Sequence, residues 1–165
     1  MIQAEHICKQ YTNHNHTVYA VDDVSFTIAE HERVGIAGGS GSGKSTLLRL
    51  IAMLEKPTSG TLRLFGEDIW QIQNHTEIYR SLQMMFQNPL AIIPPRMNLE
   101  VFLLEPYINY GLMDMAEAKE DIRKWIQHVD LPGSIIQKYP HEVSGGQLQR
   151  VVLARIMLMK PKLVL

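Results

Sequence analysis

The segment GGSGSGKS at residues 38–45 has the composition and spacing of a phosphate-binding loop. Gly38, Gly43, Lys44 and Ser45 fit the pattern G-x-x-x-x-G-K-[ST]. Glycines allow several backbone N–H groups to converge on one phosphate without obstruction by side chains. The lysine can reach the β- and γ-phosphates of a nucleotide, and the serine hydroxyl can ligate Mg²⁺. The alternative is a flexible Gly/Ser turn, which the flanking strand and helix patterns make less favourable.

A second glycine motif, VSGGQLQR at residues 143–150, opens a long apolar helical pattern. Ser144 and Gln147 have the spacing of a capping box, so an ordinary helix start explains them. A glycine-flanked helix N-terminus is also an anion site. This one cannot easily serve the phosphate that Gly43 and Lys44 already surround, which indicates a different nucleotide.

Short strands and helices alternate along the chain and must position these motifs. β-Branched runs predict strands at 24–28 and 33–37, joined by a turn, and the second leads into the glycine loop. Apolar spacing after the loop predicts a helix, and further strands are predicted at 61–66, 83–86 and in the final KLVL. The pattern indicates an α/β core with parallel strands.

The middle of the chain reads as an insertion into that core. Residues from Pro89 to Pro106 carry four of the eight prolines and show no clean period, so we expect a loop-rich segment. An amphipathic helix follows, capped by Asp114 and stopped by Pro132-Gly133. Its predicted apolar stripe consists of Met115, Ala118, Ile122, Trp125, Ile126 and Val129.

Size and charge limit the function classes. The 165 residues carry 16 Lys and Arg against 17 Asp and Glu and contain no run of five like charges, which argues against a nucleic-acid partner. The single cysteine cannot form an intramolecular disulfide. No apolar run approaches the ~18 residues needed to cross a bilayer.

Taken in order, Tyr11, GGSGSGKS, MMFQNP, VSGGQLQR and KPKLVL resemble the nucleotide-binding subunits of ABC transporters. The resemblance implies a P-loop NTPase (RecA-like) α/β core with an N-terminal antiparallel β subdomain and an inserted helical subdomain. Residues 1–87 and 144–165 would form the nucleotide-binding core, and 88–143 the helical subdomain. The whole chain would be one domain of this type, incomplete at its C-terminus.

The resemblance also implies site residues and the cofactors ATP and Mg²⁺. The positions implied to bind ATP are Tyr11, Gly38, Gly39, Ser40, Gly41, Ser42, Gly43, Lys44, Ser45 and Thr46. Tyr11 would stack on adenine, where an ordinary strand-end tyrosine is the alternative. Lys44 and Gln87 would act in catalysis, and Ser45 and Gln87 would contact Mg²⁺. The signature residues Ser144, Gly145, Gly146 and Gln147 would meet the ATP of a second subunit paired head to tail.

Several stretches are similar to the subgroup that drives import of peptides, nickel and related metal complexes. They are TNHNHTVY, QNPLAIIPPRM and YPHEVSGGQLQRV. This similarity implies membrane-spanning permease subunits as partners, indirect work with a substrate-binding protein, and a peripheral location on the cytoplasmic face of the membrane. The chain departs from the subgroup at IIPPR and at Val143, which leaves the substrate class open.

In the resembling family the strand written here as KLVL leads into an aspartate and then a glutamate that orients the attacking water. The given residues stop before that pair, so we expect ATP binding without hydrolysis from these residues alone. Three alternatives stay open. They are a non-transport ABC ATPase, a P-loop kinase or GTPase, which would leave VSGGQ unexplained, and a nucleotide-binding regulatory protein without turnover.

Overall fold

The computed structural model describes residues 2–13, 16–72, 74–88 and 92–165. The chain forms two compact units, Met1–His75 and Thr76–Leu165. The first contains the glycine loop and Tyr11. The second contains Gln87 and the VSGGQ motif.

The first unit contains an antiparallel sheet with the strand order β2-β1-β3-β4. The strands are β1 (Ile2–Asn13), β2 (His16–Ile28), β3 (Ser59–Leu64) and β4 (Glu67–Asp68). The predicted strand at 24–28 is therefore confirmed as the end of a much longer strand. The strand predicted at 61–66 is confirmed over 61–64, because β3 ends at Leu64 and residues 65–66 form a turn. Tyr11 pairs with Val18 in the β1–β2 register, close to the point where the two strands meet.

Alternation along these strands forms the core of the first unit. Leu62 and Leu64 in β3 are buried at period two, and Ile2 and Ala4 in β1 lie opposite them in the register. This is the pattern of a sheet with one covered face. The antiparallel β subdomain implied by the resemblance is confirmed.

The predicted strand at 33–37 is wrong. These residues have no strand assignment and pair with none of the described strands. Val34 is 51% exposed and Ile36 is 40% exposed. The β-branched residues in this stretch favour a strand, but a strand also needs a hydrogen-bonded neighbour, which composition alone does not provide. The glycine loop follows, and helix α1 (Lys44–Ile51) begins directly after it.

The second unit begins with α2 (Thr76–Ser81) and the short strand β5 (Leu82–Gln83). β5 pairs in parallel with β6 (Leu163–Val164), so the strand predicted in KLVL is confirmed. The strand predicted at 83–86 extends too far, because β5 ends at Gln83. One ladder bond continues beyond it, from Met85 N to Leu165 O at 2.8 Å.

Three helices build most of the second unit. They are α3 (Leu99–Tyr110), α4 (Met115–His128) and α5 (Gly145–Leu158), with 3₁₀ turns at Gly133–Gln137 and Pro140–Glu142. Their apolar faces share one core. Its fully covered members include Leu99, Leu103, Ile122, Ile126, Ile135, Leu148, Val151 and Ala154. No helix within the described residues is long and apolar enough to span a membrane.

The expected loop-rich stretch from Pro89 to Pro106 is wrong over its second half, because α3 begins at Leu99. Residues 89–91 lie outside the described part of the chain. Asn98 caps α3 by accepting a hydrogen bond from Val101 N at 2.9 Å. Pro106 lies inside the helix, where it cannot donate to Phe102 O. Arg155 of α5 donates to that carbonyl instead and also contacts Glu105 at 2.8 Å.

The cap predicted for α4 is confirmed. Asp114 Oδ1 accepts from Ala116 N at 2.8 Å and from Glu117 N at 2.9 Å. The predicted stripe is buried at Ala118, Ile122 and Ile126, but Met115 is 50% exposed. Its first-turn position places it at the end of the stripe, beyond the covered part of the helix.

Candidate nucleotide-binding site

Backbone conformation in the glycine loop explains why glycine occupies its key positions. Gly41 and Gly43 have φ values of 78° and 86°. In this left-handed region an L side chain is unfavourable. Gly43 also lies against the carbonyl of Ala20, so that an added Cβ would be 2.0 Å from that oxygen. Gly43 therefore fixes the loop against β2 as well as turning the chain into α1.

The start of the loop is similarly tight. A Cβ on Gly38 would lie 2.7 Å from Ser42 Oγ, and Ser42 N donates to Gly39 O at 3.4 Å. Gly39 has open space around it, and Ser40 is exposed. The loop thus closes on itself at Gly38 and Ser42 while its outer edge remains accessible.

The Lys44 ammonium lies inside this loop. Its Nζ donates to Gly38 O at 2.9 Å, to Gly39 O at 2.6 Å and to Ser42 Oγ at 3.2 Å. A lysine held in this way presents a fixed positive charge among backbone groups that can turn toward an anion. The carbonyl contacts position the charge without neutralising it.

Helix α1 adds its positive dipole end to the same place. Gly43 is its N-cap, Leu47 N donates to Gly43 O at 2.8 Å, and the first turn contains no acidic residue. A helix N-terminus with free N–H groups favours an anion, and a first-turn carboxylate would oppose it. Ser45 is exposed and Thr46 is half-buried in this first turn.

Two cavities adjoin the loop on the side of β2. The larger, of 420 Å³, is lined by Tyr19, Ala20, Val21, Asp22, Val24, Ile36, Ala37, Gly38, Gly41, Ser42, Gly43, Lys44 and Leu47. The smaller, of 210 Å³, is lined by Val18, Tyr19, Ala20 and residues 41–46. Ala20 lies in both. The glycine loop and residues 18–24 of β2 therefore border both cavities, whose walls are partly polar and partly apolar.

Tyr11 lies beside these cavities, since its pairing partner Val18 lines the smaller cavity. Tyr11 is 43% exposed. Its hydroxyl donates to the Glu55 carboxylate, and that hydrogen bond is the main reason why the pKa of Tyr11 is raised above its ordinary value. Sequence reasoning did not identify Glu55, which is separated from Tyr11 by 44 residues and belongs to no local motif.

Gln87 and the VSGGQ motif belong to the second unit. Gln87 is exposed in a bend after β5. At α5, Ser144 Oγ accepts from Gln147 N at 3.3 Å, and Gln147 Oε1 accepts from Ser144 N at 2.9 Å, so the predicted capping box is confirmed. Gly145 and Gly146 have no described atom within 4 Å of where a Cβ would lie.

Among the described residues no group of three or more His, Cys, Asp or Glu could hold a metal ion. Protein carboxylates therefore do not form a metal site by themselves in this part of the chain. The Ser45 hydroxyl is exposed at the first turn of α1.

A sequence model of a known family matches most of the chain. The sequence model of the ABC transporter family covers residues 21–165. The chain belongs to this family. Cassettes of the ABC family bind ATP, and the resemblance found in the sequence is confirmed.

Two relatives are named for peptide transport. The oligopeptide transport ATP-binding protein AppF of Bacillus subtilis is 38% identical over 151 residues, which are 90% of this chain and 46% of AppF. The di/tripeptide transport ATP-binding protein DppF of Pseudomonas aeruginosa is 36% identical over 149 residues, 89% of this chain and 46% of DppF. The chain spans about half the length of the curated relatives that it matches.

Solved structures agree with the ABC fold. The ATP-binding cassette MJ0796, in a dimeric post-hydrolysis state bound to ADP and Pi, superposes with a TM-score of 0.88 at 29% identity. The match covers 99% of this chain and 72% of that one. The α/β P-loop fold class is confirmed.

Proposed function

We propose that this ABC chain is the ATP-binding part of an importer subunit that couples ATP binding and hydrolysis to peptide uptake through separate membrane-spanning subunits. The observation that carries the proposal is the Lys44 ammonium held inside a glycine loop at the N-terminus of α1. Family membership supports an ATPase, and the names of AppF and DppF support peptides as the cargo. The VSGGQ motif, which a kinase or GTPase would leave unexplained, belongs to the same assignment.

The phosphates are proposed to lie in the glycine loop, residues Gly38 to Ser45. Backbone N–H groups around the left-handed Gly41 and Gly43 would face them, with the dipole of α1 behind. Lys44 would exchange carbonyl contacts for phosphate oxygens. The adenine would stack on the exposed ring of Tyr11 beside the smaller cavity.

Mg²⁺ is proposed as the second cofactor, with the Ser45 hydroxyl as a group of the first unit that would hold it. For Gln87, in the second unit, a contact with Mg²⁺ is what the family resemblance implies. When bound, Mg²⁺ would neutralise part of the negative charge on the phosphates. Ser45 is exposed in the first turn of α1, and Gln87 is exposed after β5, so both side chains are accessible. Lys44 and Gln87 would contribute to turnover by stabilising phosphate charge and by contacting the attacking water.

The signature residues Ser144, Gly145, Gly146 and Gln147 are proposed to meet the ATP of a second ATP-binding subunit. The capping box explains Ser144 and Gln147 within this chain, but it does not explain two consecutive glycines. No described atom lies within 4 Å of a Cβ built at 145 or 146, so the space beside both glycines is open to an external group. A nucleotide on a head-to-tail partner is such a group.

The test is ATP affinity, measured by isothermal titration of the 165-residue chain with and without Mg²⁺. Lys44→Ala should weaken binding by about tenfold to a hundredfold, the range expected for losing charge-assisted hydrogen bonds. Lys138→Ala, an exposed lysine in the second unit, is the matched control and should bind as the unmodified chain does. Equal affinity in the Lys44→Ala variant would refute the assignment.

A further inference from the structure

The Tyr11 ring is tied to the rest of the first unit through one carboxylate. Its hydroxyl donates to Glu55 Oε2. The other oxygen of Glu55, Oε1, lies 2.9 Å from Nε of Arg49, which is a residue of α1. Only 15% of the Glu55 side chain is exposed, so this shared carboxylate is largely withdrawn from water. A single residue thus links β1 to α1.

Lys9 adds a second cation to the same carboxylate. Its Nζ lies 3.7 Å from Glu55 Oε2 and donates to Lys56 O at 2.7 Å. It also lies over the Tyr11 ring, 5.2 Å from the centroid. Lys9 takes one face of the ring. A base would therefore stack on the opposite face.

The helix that receives this link is the one that carries the phosphate-binding residues. Arg49 lies five residues after Lys44 in α1. The ring is consequently fixed to the same rigid element as Lys44. The base and the phosphates of one nucleotide would be bound at a fixed distance from each other.

We propose that Glu55 is the positioning residue for adenine recognition: its carboxylate holds the Tyr11 ring at a fixed place relative to α1. The inference rests on the proposed nucleotide-binding function and goes beyond it by naming a residue that does not itself contact the nucleotide. A ring that is already fixed loses less conformational freedom on stacking, which strengthens binding of the base. Phosphate binding does not depend on this link.

The test compares ATP with inorganic tripolyphosphate, which has no base. Affinities for both are measured by isothermal titration in the unmodified chain, Tyr11→Phe, Glu55→Ala and the double variant. Tyr11→Phe removes only the hydroxyl and keeps the stacking ring. Glu67→Ala, an exposed glutamate in β4, is the control for loss of one negative charge from the unit. Thermal unfolding without ligand checks that each variant is folded.

We expect Tyr11→Phe and Glu55→Ala each to weaken ATP binding about threefold to tenfold. The double variant should bind ATP no more weakly than either single variant. The affinity for tripolyphosphate should stay unchanged in all three variants. Independent, multiplying losses in the double variant would overturn the inference, as would equal losses for ATP and tripolyphosphate or no loss in either single variant. Should the unmodified chain bind ATP no better than Lys44→Ala does, the proposed function itself fails. ATP binding that Lys44→Ala weakens and Glu55→Ala leaves unchanged would refute only the role of Glu55.

Discussion

Alanine substitutions at three glycines of the loop separate the two physical reasons for glycine at position 43. Gly39 has an ordinary φ and open space, Gly41 has a φ of 78° and open space, and Gly43 has a φ of 86° together with the Ala20 carbonyl. The three sites lie within five residues of one another, so they share the same surroundings. Gly39→Ala therefore serves as the control, Gly41→Ala measures backbone strain, and Gly43→Ala measures strain plus steric overlap.

The expected magnitudes follow from that geometry. Gly39→Ala should change the free energy of unfolding by less than about 0.5 kcal/mol. Gly41→Ala places a side chain in the left-handed region and should cost about 1–2 kcal/mol. At Gly43 a Cβ would lie 2.0 Å from Ala20 O, where side chains keep at least 3.0 Å, so the backbone must also shift. Overpacking of this kind adds about 1–3 kcal/mol, for a total of about 2–5 kcal/mol.

The shift at Gly43 should reach the nucleotide site because α1 begins at the next residue, Lys44. A displacement of ~1 Å in a binding group can cost on the order of a hundredfold in function. We expect ATP affinity to fall most in Gly43→Ala, measured by titration alongside thermal unfolding of all three variants. A Gly43→Ala protein as stable as Gly41→Ala, with the same ATP affinity, would refute the argument that the Ala20 contact fixes the loop.

Three further predictions concern the second unit. Burial, and then the 2.7 Å hydrogen bond to Asp121, raise the pKa of Tyr107 well above its usual value. The stability that the protonated hydroxyl contributes is complete below about pH 10 and is lost as the pH rises further. Tyr107→Phe should therefore lower the free energy of unfolding by about 1–2 kcal/mol at pH 7 and flatten the fall in stability above pH 10, as urea unfolding would show. Ser144→Ala removes the α5 cap and should lower the free energy of unfolding by about 1 kcal/mol while leaving ATP affinity of the isolated chain unchanged, as titration would show. Arg155→Met should lower the free energy of unfolding by about 1.5–3 kcal/mol. The loss should be smaller in a Pro106→Ala background, because residue 106 then has a backbone N–H that can donate to Phe102 O. Equal losses in both backgrounds would contradict this.

Features encoded by neighbouring residues were predictable from the sequence. The glycine loop and the caps at Asp114 and Ser144 each depend on residues within a few positions of one another, and the structure contains all of them. The sequence could predict phosphate binding by this loop because the backbone conformation and the charge that bind an anion are both determined by adjacent residues. Its left-handed glycines supply the expected conformation.

Features that depend on a distant partner were missed. Residues 33–37 have the composition of a strand, yet among the described residues no strand pairs with them. Glu55 follows α1 in a segment with no motif, and its link to Tyr11 exists only because β1 and α1 come together. Neither property can be obtained from a local pattern, since both are set by which elements become neighbours.

Helix α3 shows how such a partner can reverse a local rule. Proline normally ends a helix because it removes a donor and leaves the carbonyl four residues earlier without its hydrogen bond. At Pro106 that carbonyl belongs to Phe102, and Arg155 supplies the missing donor from α5 while its second nitrogen contacts Glu105. The guanidinium also lies 4.2 Å from the Phe102 ring centroid, so its apolar face is covered as well. The proline that predicted a loop is thus accommodated by the helix that carries VSGGQ at its other end, and the cost of breaking the local rule is offset by a contact between α3 and α5.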